Sequence, residues 1–180
     1  MSTPKLNLPT ILTLSRIILI PVFIAVVYQH PVWGAIVFSI ASITDFLDGY
    51  FARRSGQVTK FGIILDPLAD KFLVISALVV LVDMARLSAW MAIIIIVREF
   101  LITGLRVVAL SKDIIIPAEM GGKLKIGAQI TAILCLILVG SFFDNLPLDL
   151  YDIGSAFVWV ALVLSVISGI QYTVSFWKKV

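Results

Sequence analysis

Asp45-Phe-Leu-Asp48-Gly49-Tyr-Phe-Ala52-Arg53, followed by Gly62-Ile-Ile-Leu-Asp66-Pro-Leu-Ala-Asp70, is the stretch on which the reading of this chain turns. Four carboxylates stand at the ends of two strongly apolar segments. An ionised side chain at membrane depth costs about 3 kcal/mol on insertion scales, so such residues mark function rather than packing. No matching set of four basic residues stands beside them. They ask for cations.

Outward from that stretch, the composition points to lipid. Of the 180 residues, 61% are hydrophobic and 14% are charged, and the mean hydropathy is +1.10. A soluble domain of this length could not cover so much apolar surface with so few charges, whereas a bilayer solvates it. The formal charge of +3 is modest and no basic, polar surface is in evidence, which argues against nucleic acid as a partner. Cys135, the single cysteine, lies in an apolar run and cannot form an intramolecular disulfide; it reads as a small buried hydrophobe. His30 falls in a short turn, where a lone histidine is ordinarily solvated.

A bilayer core takes about 20 apolar residues per helix, and runs of that scale occur at roughly 8–28, 33–52, 63–82, 88–110, 124–143 and 153–177. They predict an all-α, polytopic integral membrane protein with six transmembrane helices, a single domain over residues 1–180. No small-x-small cleavage site follows the first run, so it reads as a retained helix and not a signal peptide. Pro4 to Pro9 reads as a short interfacial stretch before it. The connections alternate in charge. Gln29 to Val32 carries no Lys or Arg, Asp83 to Leu87 only Arg86, and Ser141 to Asp152 three aspartates and no basic residue. Lys5, Arg53, Arg54, Lys60, Lys112, Lys123, Lys125, Lys178 and Lys179 fall on the other side. Basic residues mark the cytoplasmic face, so both termini are predicted there. Trp33, Trp90 and Trp177 lie near span ends, where indoles favour the interface, while Trp159 is deeper and reads as packing.

Asp45 and Asp48 are three apart, Asp66 and Asp70 four. On helices both spacings put a pair on one face. Both pairs flank the same predicted cytoplasmic loop, so two neighbouring spans can bring all four together just below the interface. A solvated or capping role would explain one such pair; two pairs across one loop favour a metal site. The ligands are hard oxygens with no His or Cys nearby, which favours Mg²⁺, Mn²⁺ or Ca²⁺ over zinc. Four carboxylates balance two divalent cations, and paired metals suit an in-line displacement at phosphorus. Gly49, Ala52 and Gly62 are small enough for a helix backbone or a bulky ligand to approach. Arg53 is placed either to mark topology or to clamp a phosphate.

With the spacing Asp-x2-Asp-Gly-x2-Ala-Arg-x8-Gly-x3-Asp-x3-Asp, residues 45–70 fit at every defined position the signature of the CDP-alcohol phosphotransferase family, which the chain therefore resembles. These are membrane enzymes that join a CDP-activated lipid to an alcohol and release CMP. The resemblance implies that Asp45, Asp48 and Asp66 help bind one metal, and Asp45, Asp66 and Asp70 the other. It implies two divalent cations, Mg²⁺ with Mn²⁺ as the alternative, and Asp70 as the base that takes the acceptor's proton. Gly49, Ala52, Arg53 and Gly62 would lie at the cytidine diphosphate. Asn7-Leu-Pro-Thr10-Ile-Leu-Thr13-Leu-Ser-Arg16, Asp66 to Lys71, Arg98-Glu99 with Gly104-Leu105-Arg106, and Gly122-Lys123-Leu-Lys125 resemble the bacterial phosphatidylglycerophosphate synthase subfamily. That likeness implies transfer of a phosphatidyl group from CDP-diacylglycerol to sn-glycerol 3-phosphate, in a homodimer, in the bacterial cytoplasmic membrane, with the active site facing the cytoplasm.

An acceptor carrying a phosphate needs fixed cations near the metal site. Lys60, Arg106, Lys123 and Lys125 are candidates, although topology alone would also place them there. Arg98 lies mid-span in Ile93-Ile94-Ile95-Ile96-Val97-Arg98-Glu99. By helical spacing Glu99 points about 100° away and is no automatic partner, so Arg98 is expected to line a polar cavity or hold an aspartate. Asn7 and Thr10 read as helix caps or, by the resemblance, as nucleotide contacts. Asp83 and Arg86 read as an exposed loop pair.

The expected reaction is direct attack of the acceptor hydroxyl on the β-phosphorus, with no covalent intermediate, since no nucleophilic Cys or Ser–His pairing is in evidence. The acyl chains stay in the lipid. The same motif would serve another acceptor: phosphatidylglycerol, inositol phosphate or serine. A divalent-cation transporter is the alternative from another class. It would string polar groups through the full membrane thickness, whereas these gather at one end.

Overall fold

The computed structural model describes the backbone of residues 8–55, 60–111, 121–141 and 149–178, and the side chains of 18–44, 71–109, 124–141 and 149–178. Six α-helices are present there and, among the described residues, no strand: α1 (Leu8–Val27), α2 (Pro31–Ser55), α3 (Lys60–Asp83), α4 (Ala89–Ser111), α5 (Gly121–Leu138) and α6 (Leu150–Trp177). They follow the six apolar runs, shifted by a few residues at the ends. Pro9 lies inside α1, so the interfacial stretch expected up to Pro9 gives way to helix there. The chain divides into two compact units, Met1–Ala77 and Leu78–Val180.

In the first unit α1 and α2 form an antiparallel hairpin. Val26 O accepts from the His30 amide at 2.8 Å, and Pro31 opens α2, at the one helical position whose missing N–H costs nothing. Phe23 and Phe38 are fully buried and meet with ring centroids 5.8 Å apart. Gly34 makes the close approach possible: a Cβ there would stand 2.7 Å from Val27 Cβ. His30 is exposed, as expected of a turn residue.

In the second unit α4 and α5 each pack against α6. Arg86 is not simply an exposed loop residue. It is half-buried, and its Nη1 donates to Leu136 O at 3.0 Å and Ile137 O at 2.8 Å. Those are carbonyls of the last turn of α5, which no helical N–H can reach, and a cation suits the negative end of the helix. Asp149 caps the start of α6, its carboxylate accepting from the Tyr151 and Asp152 amides at 2.9 and 3.3 Å. Trp159 is half exposed and meets Trp90 edge-on, with centroids 5.7 Å apart. Cys135 is only partly buried.

α6 carries large apolar side chains on both of its faces. Its buried positions are Gly154, Ala161, Ser165, Ser168 and Gly169 together with Val158, Leu162, Tyr172 and Phe176. Its exposed ones include Trp159, Val163, Ile167, Ile170 and Trp177. Large apolar residues outside, with small ones among those inside, is a pattern that lipid allows, because the tails are as apolar as leucine and close backbone approach drives packing. At 28 residues α6 is long and apolar enough to cross a membrane, and it stands alone in this among the described residues. Shorter apolar stretches are Ile18–Val27, Pro31–Thr44 and Leu124–Leu138. Several hydroxyls inside helices turn back on their own carbonyls, as in Ser39 to Ala35 O at 2.8 Å and Thr173 to Gly169 O at 2.8 Å. That satisfies them without water.

Candidate active site

The aspartates divide as the spacing requires. Positions 45 and 48 lie in α2, and positions 66 and 70 in α3. The backbone is helical at all four, which is the condition for residues three or four apart to share a side of a helix. Both helices belong to the first compact unit up to residue 77, and only four positions separate Ser55 from Lys60. The side chains of these aspartates lie outside the described residues. So do those of Thr10, Arg53, Lys60 and Lys123 and the surroundings of Gly49, Ala52 and Gly62, although the backbone of each is helical. Thr10 stands inside α1 and not before it, which removes it as a cap. Asn7 lies wholly outside the described residues. Four hard-oxygen carboxylates on helical backbone are a donor set that fits a divalent cation such as Mg²⁺. Among the described residues no group of three or more His, Cys, Asp or Glu gathers as a metal site.

The second unit brings together residues that the sequence left apart. Arg98 on α4 reaches α6, its Nε donating to Ser165 O at 3.0 Å and its Nη2 to Ser168 Oγ at 2.5 Å. Its Nη1 lies 3.1 Å from Glu99 Oε1. The same oxygen accepts from the Lys125 ammonium on α5. The helical angle between positions 98 and 99 therefore did not keep them apart. A guanidinium on a three-carbon stem spans several ångströms, and the three-helix junction draws both side chains inward. Arg98 and Glu99 side chains are 16% and 17% exposed, and that of Lys125 is 7% exposed. Buried charges persist only when paired and hydrogen-bonded, which this trio achieves. Gly169 helps, since a Cβ there would crowd Arg98 Cγ at 3.2 Å. Gln129, one turn beyond Lys125, has a buried Nε2 without a hydrogen-bond partner among the described residues. Arg106 is exposed on α4.

Ser165 and Ser168 were not singled out in the sequence, and Glu99 was read there as no automatic partner of Arg98. The available signals were a carboxylate beside an arginine within an apolar run, and two serines three apart in another. Neither shows which helices meet.

Paired aspartates on two helices joined by a short connection are what a metal-dependent phosphotransferase of lipid substrates needs, and the chain belongs to the CDP-alcohol phosphatidyltransferase family, which matches residues 6–167. That match runs through both compact units. Among individual relatives, the CDP-diacylglycerol–glycerol-3-phosphate 3-phosphatidyltransferase of Bacillus subtilis (strain 168) is 42% identical over 190 residues, covering 96% of each chain. Enzymes of the same name from Rickettsia bellii and Shigella flexneri are each 38% identical, over 92% and 93% of this chain and 93% of their own length.

Proposed function

We infer that this chain transfers the phosphatidyl group of CDP-diacylglycerol to sn-glycerol 3-phosphate, giving phosphatidylglycerophosphate and CMP. The observation that carries this is 42% and 38% identity over more than nine-tenths of the chain to relatives of that name, together with the complete aspartate motif at positions of α2 and α3. Asp45, Asp48, Asp66 and Asp70 would hold the divalent cations that go with the family, Mg²⁺ first and two by charge balance. Bound there, they would neutralise the charge that develops at phosphorus.

The chain's own groups account for the remainder. Asp70 takes the proton of the acceptor's primary hydroxyl. That oxygen bonds to the β-phosphorus as the bond from the β-phosphorus to the bridging oxygen breaks, and CMP leaves. Gly49, Ala52 and Gly62 leave room for the cytidine diphosphate, Arg53 offers paired donors to its phosphates, and Asn7 and Thr10 lie at the same nucleotide. Lys60, Arg98, Arg106, Lys123 and Lys125 supply positive charge for the acceptor's phosphate. The excess of Lys and Arg on alternate connections supports six membrane-spanning helices, with both termini and the site on the cytoplasmic side of a bacterial membrane. The large apolar side chains exposed along α6 support lipid around it. We take the chain as one functional domain, and its family resemblance favours a homodimer.

The test is CMP release by detergent-purified protein with CDP-diacylglycerol and Mg²⁺, each acceptor offered separately. Glycerol 3-phosphate alone should drive turnover, and Asp70→Asn should lower it at least about a hundredfold while the helix content is unchanged. Turnover with phosphatidylglycerol, inositol phosphate or serine would keep the chemistry and change the acceptor. No CMP from folded protein with any acceptor would end this reading and return cation transport to consideration.

A further inference from the structure

Two of the candidate cations for the acceptor's phosphate share one carboxylate oxygen. Glu99 Oε1 accepts from Arg98 Nη1 at 3.1 Å and from the Lys125 ammonium. The two are not held alike. Arg98 has anchors on α6, at Ser165 O and Ser168 Oγ, and a planar guanidinium fixed by several acceptors has little freedom to swing. Lys125 ends a flexible four-carbon stem as a point charge, and its side chain is 7% exposed. The carboxylate reaching from α4 to α5 holds that charge directly. Within the trio two cations meet one carboxylate, and cations are what a phosphate requires.

We propose that Glu99 is a positioning residue for acceptor binding. It holds the Lys125 ammonium at the point from which that ammonium meets the phosphate of glycerol 3-phosphate, with Arg98 as the fixed backing. The proposal rests on the reading of Lys125 as an acceptor-phosphate residue. Glu99 does not itself touch the acceptor, because a carboxylate repels a phosphate. Its effect is carried entirely by where it puts the lysine.

The experiment is a steady-state double-mutant cycle on the full chain in detergent, with Glu99→Gln, Lys125→Gln and the double variant, varying each substrate in turn. Glu99→Gln should raise KM for glycerol 3-phosphate about tenfold, the scale of one charge-assisted hydrogen bond. Its kcat and its KM for CDP-diacylglycerol should stay within about twofold of the parent, the signature of lost acceptor binding alone. The double variant should be no worse than Lys125→Gln, since coupled residues are not additive. Glu99→Asp, which keeps the charge one methylene short, should show a smaller rise.

A general fall in kcat with a lower melting midpoint would make Glu99 a structural strut and overturn the proposal. So would penalties that add in the double variant, or an unchanged acceptor KM in Glu99→Gln when Lys125→Gln raises it. An unchanged acceptor KM in Lys125→Gln would instead remove the lysine from the pocket, and the proposal would fall for that separate reason. If Glu99→Gln does not fold, Glu99→Asp carries the same cycle. Misfolding of both would count against positioning.

Discussion

Ala85 shows how a single residue can run against local preference. It has φ of 57° in the turn between α3 and α4, a left-handed conformation that disfavours a Cβ. Its amide donates to Val82 O at 3.0 Å and the next amide, of Arg86, to Leu81 O at 2.9 Å. That is the Schellman pattern that closes many helices, in which glycine is the usual occupant. Ala85→Gly should therefore stabilise the protein by about 1 kcal/mol, read as a higher melting midpoint in detergent with CMP release unchanged. The aspartates work in the opposite direction, since their worth lies in chemistry and not in stability. Stripping divalent cations with EDTA should abolish CMP release and excess Mg²⁺ restore it, while far-UV circular dichroism stays constant. Activity that survives exhaustive chelation would remove the metal from the mechanism.

At the scale of elements, two glycines in helices should respond oppositely to the same substitution. At Gly34 of α2 a methyl group would stand 2.8 Å from Val27 Cα, which is backbone and cannot step aside. Gly34→Ala should push α1 from α2 and cost about 1–3 kcal/mol. Gly127 of α5 is exposed with nothing within 4 Å of an added Cβ. Gly127→Ala should gain about 1 kcal/mol, because alanine is the better helix former. Melting midpoints of the two variants, measured side by side, check both signs. A fall for both would mean that Gly127 faces another surface in the working protein. Sequence alone marks both as small residues in apolar helices and cannot separate them.

At the scale of the whole molecule, the proposed six-span arrangement makes a prediction that the chemistry does not. With Cys135 replaced by serine, a single cysteine introduced at Gln29 should react with a membrane-impermeant maleimide in intact cells. One at Gln57, in the connection between α2 and α3, should react only after the membrane is opened. Equal labelling of both sites in intact cells would overturn the six-span arrangement. The reverse pattern would place the aspartates on the outer side, away from a cytoplasmic pool of glycerol 3-phosphate.

The number of the helices and their extent to within a few residues were legible from the apolar runs alone, because a chain that must satisfy its backbone in lipid has few alternatives to a helix. The aspartate motif was equally legible, since its spacing is a property of one helix and then the next. Cation partners between helices were not. Sequence put Arg98 against a cavity or an aspartate and Arg86 on an exposed loop, whereas the fold takes Arg98 to Glu99 and α6, and half-buries Arg86 against the last carbonyls of α5. Helical periodicity says which side of a helix a residue occupies, but not which helix lies opposite. A long charged side chain in an apolar surrounding takes whatever partner the packing brings within reach. Only the tertiary structure decides that.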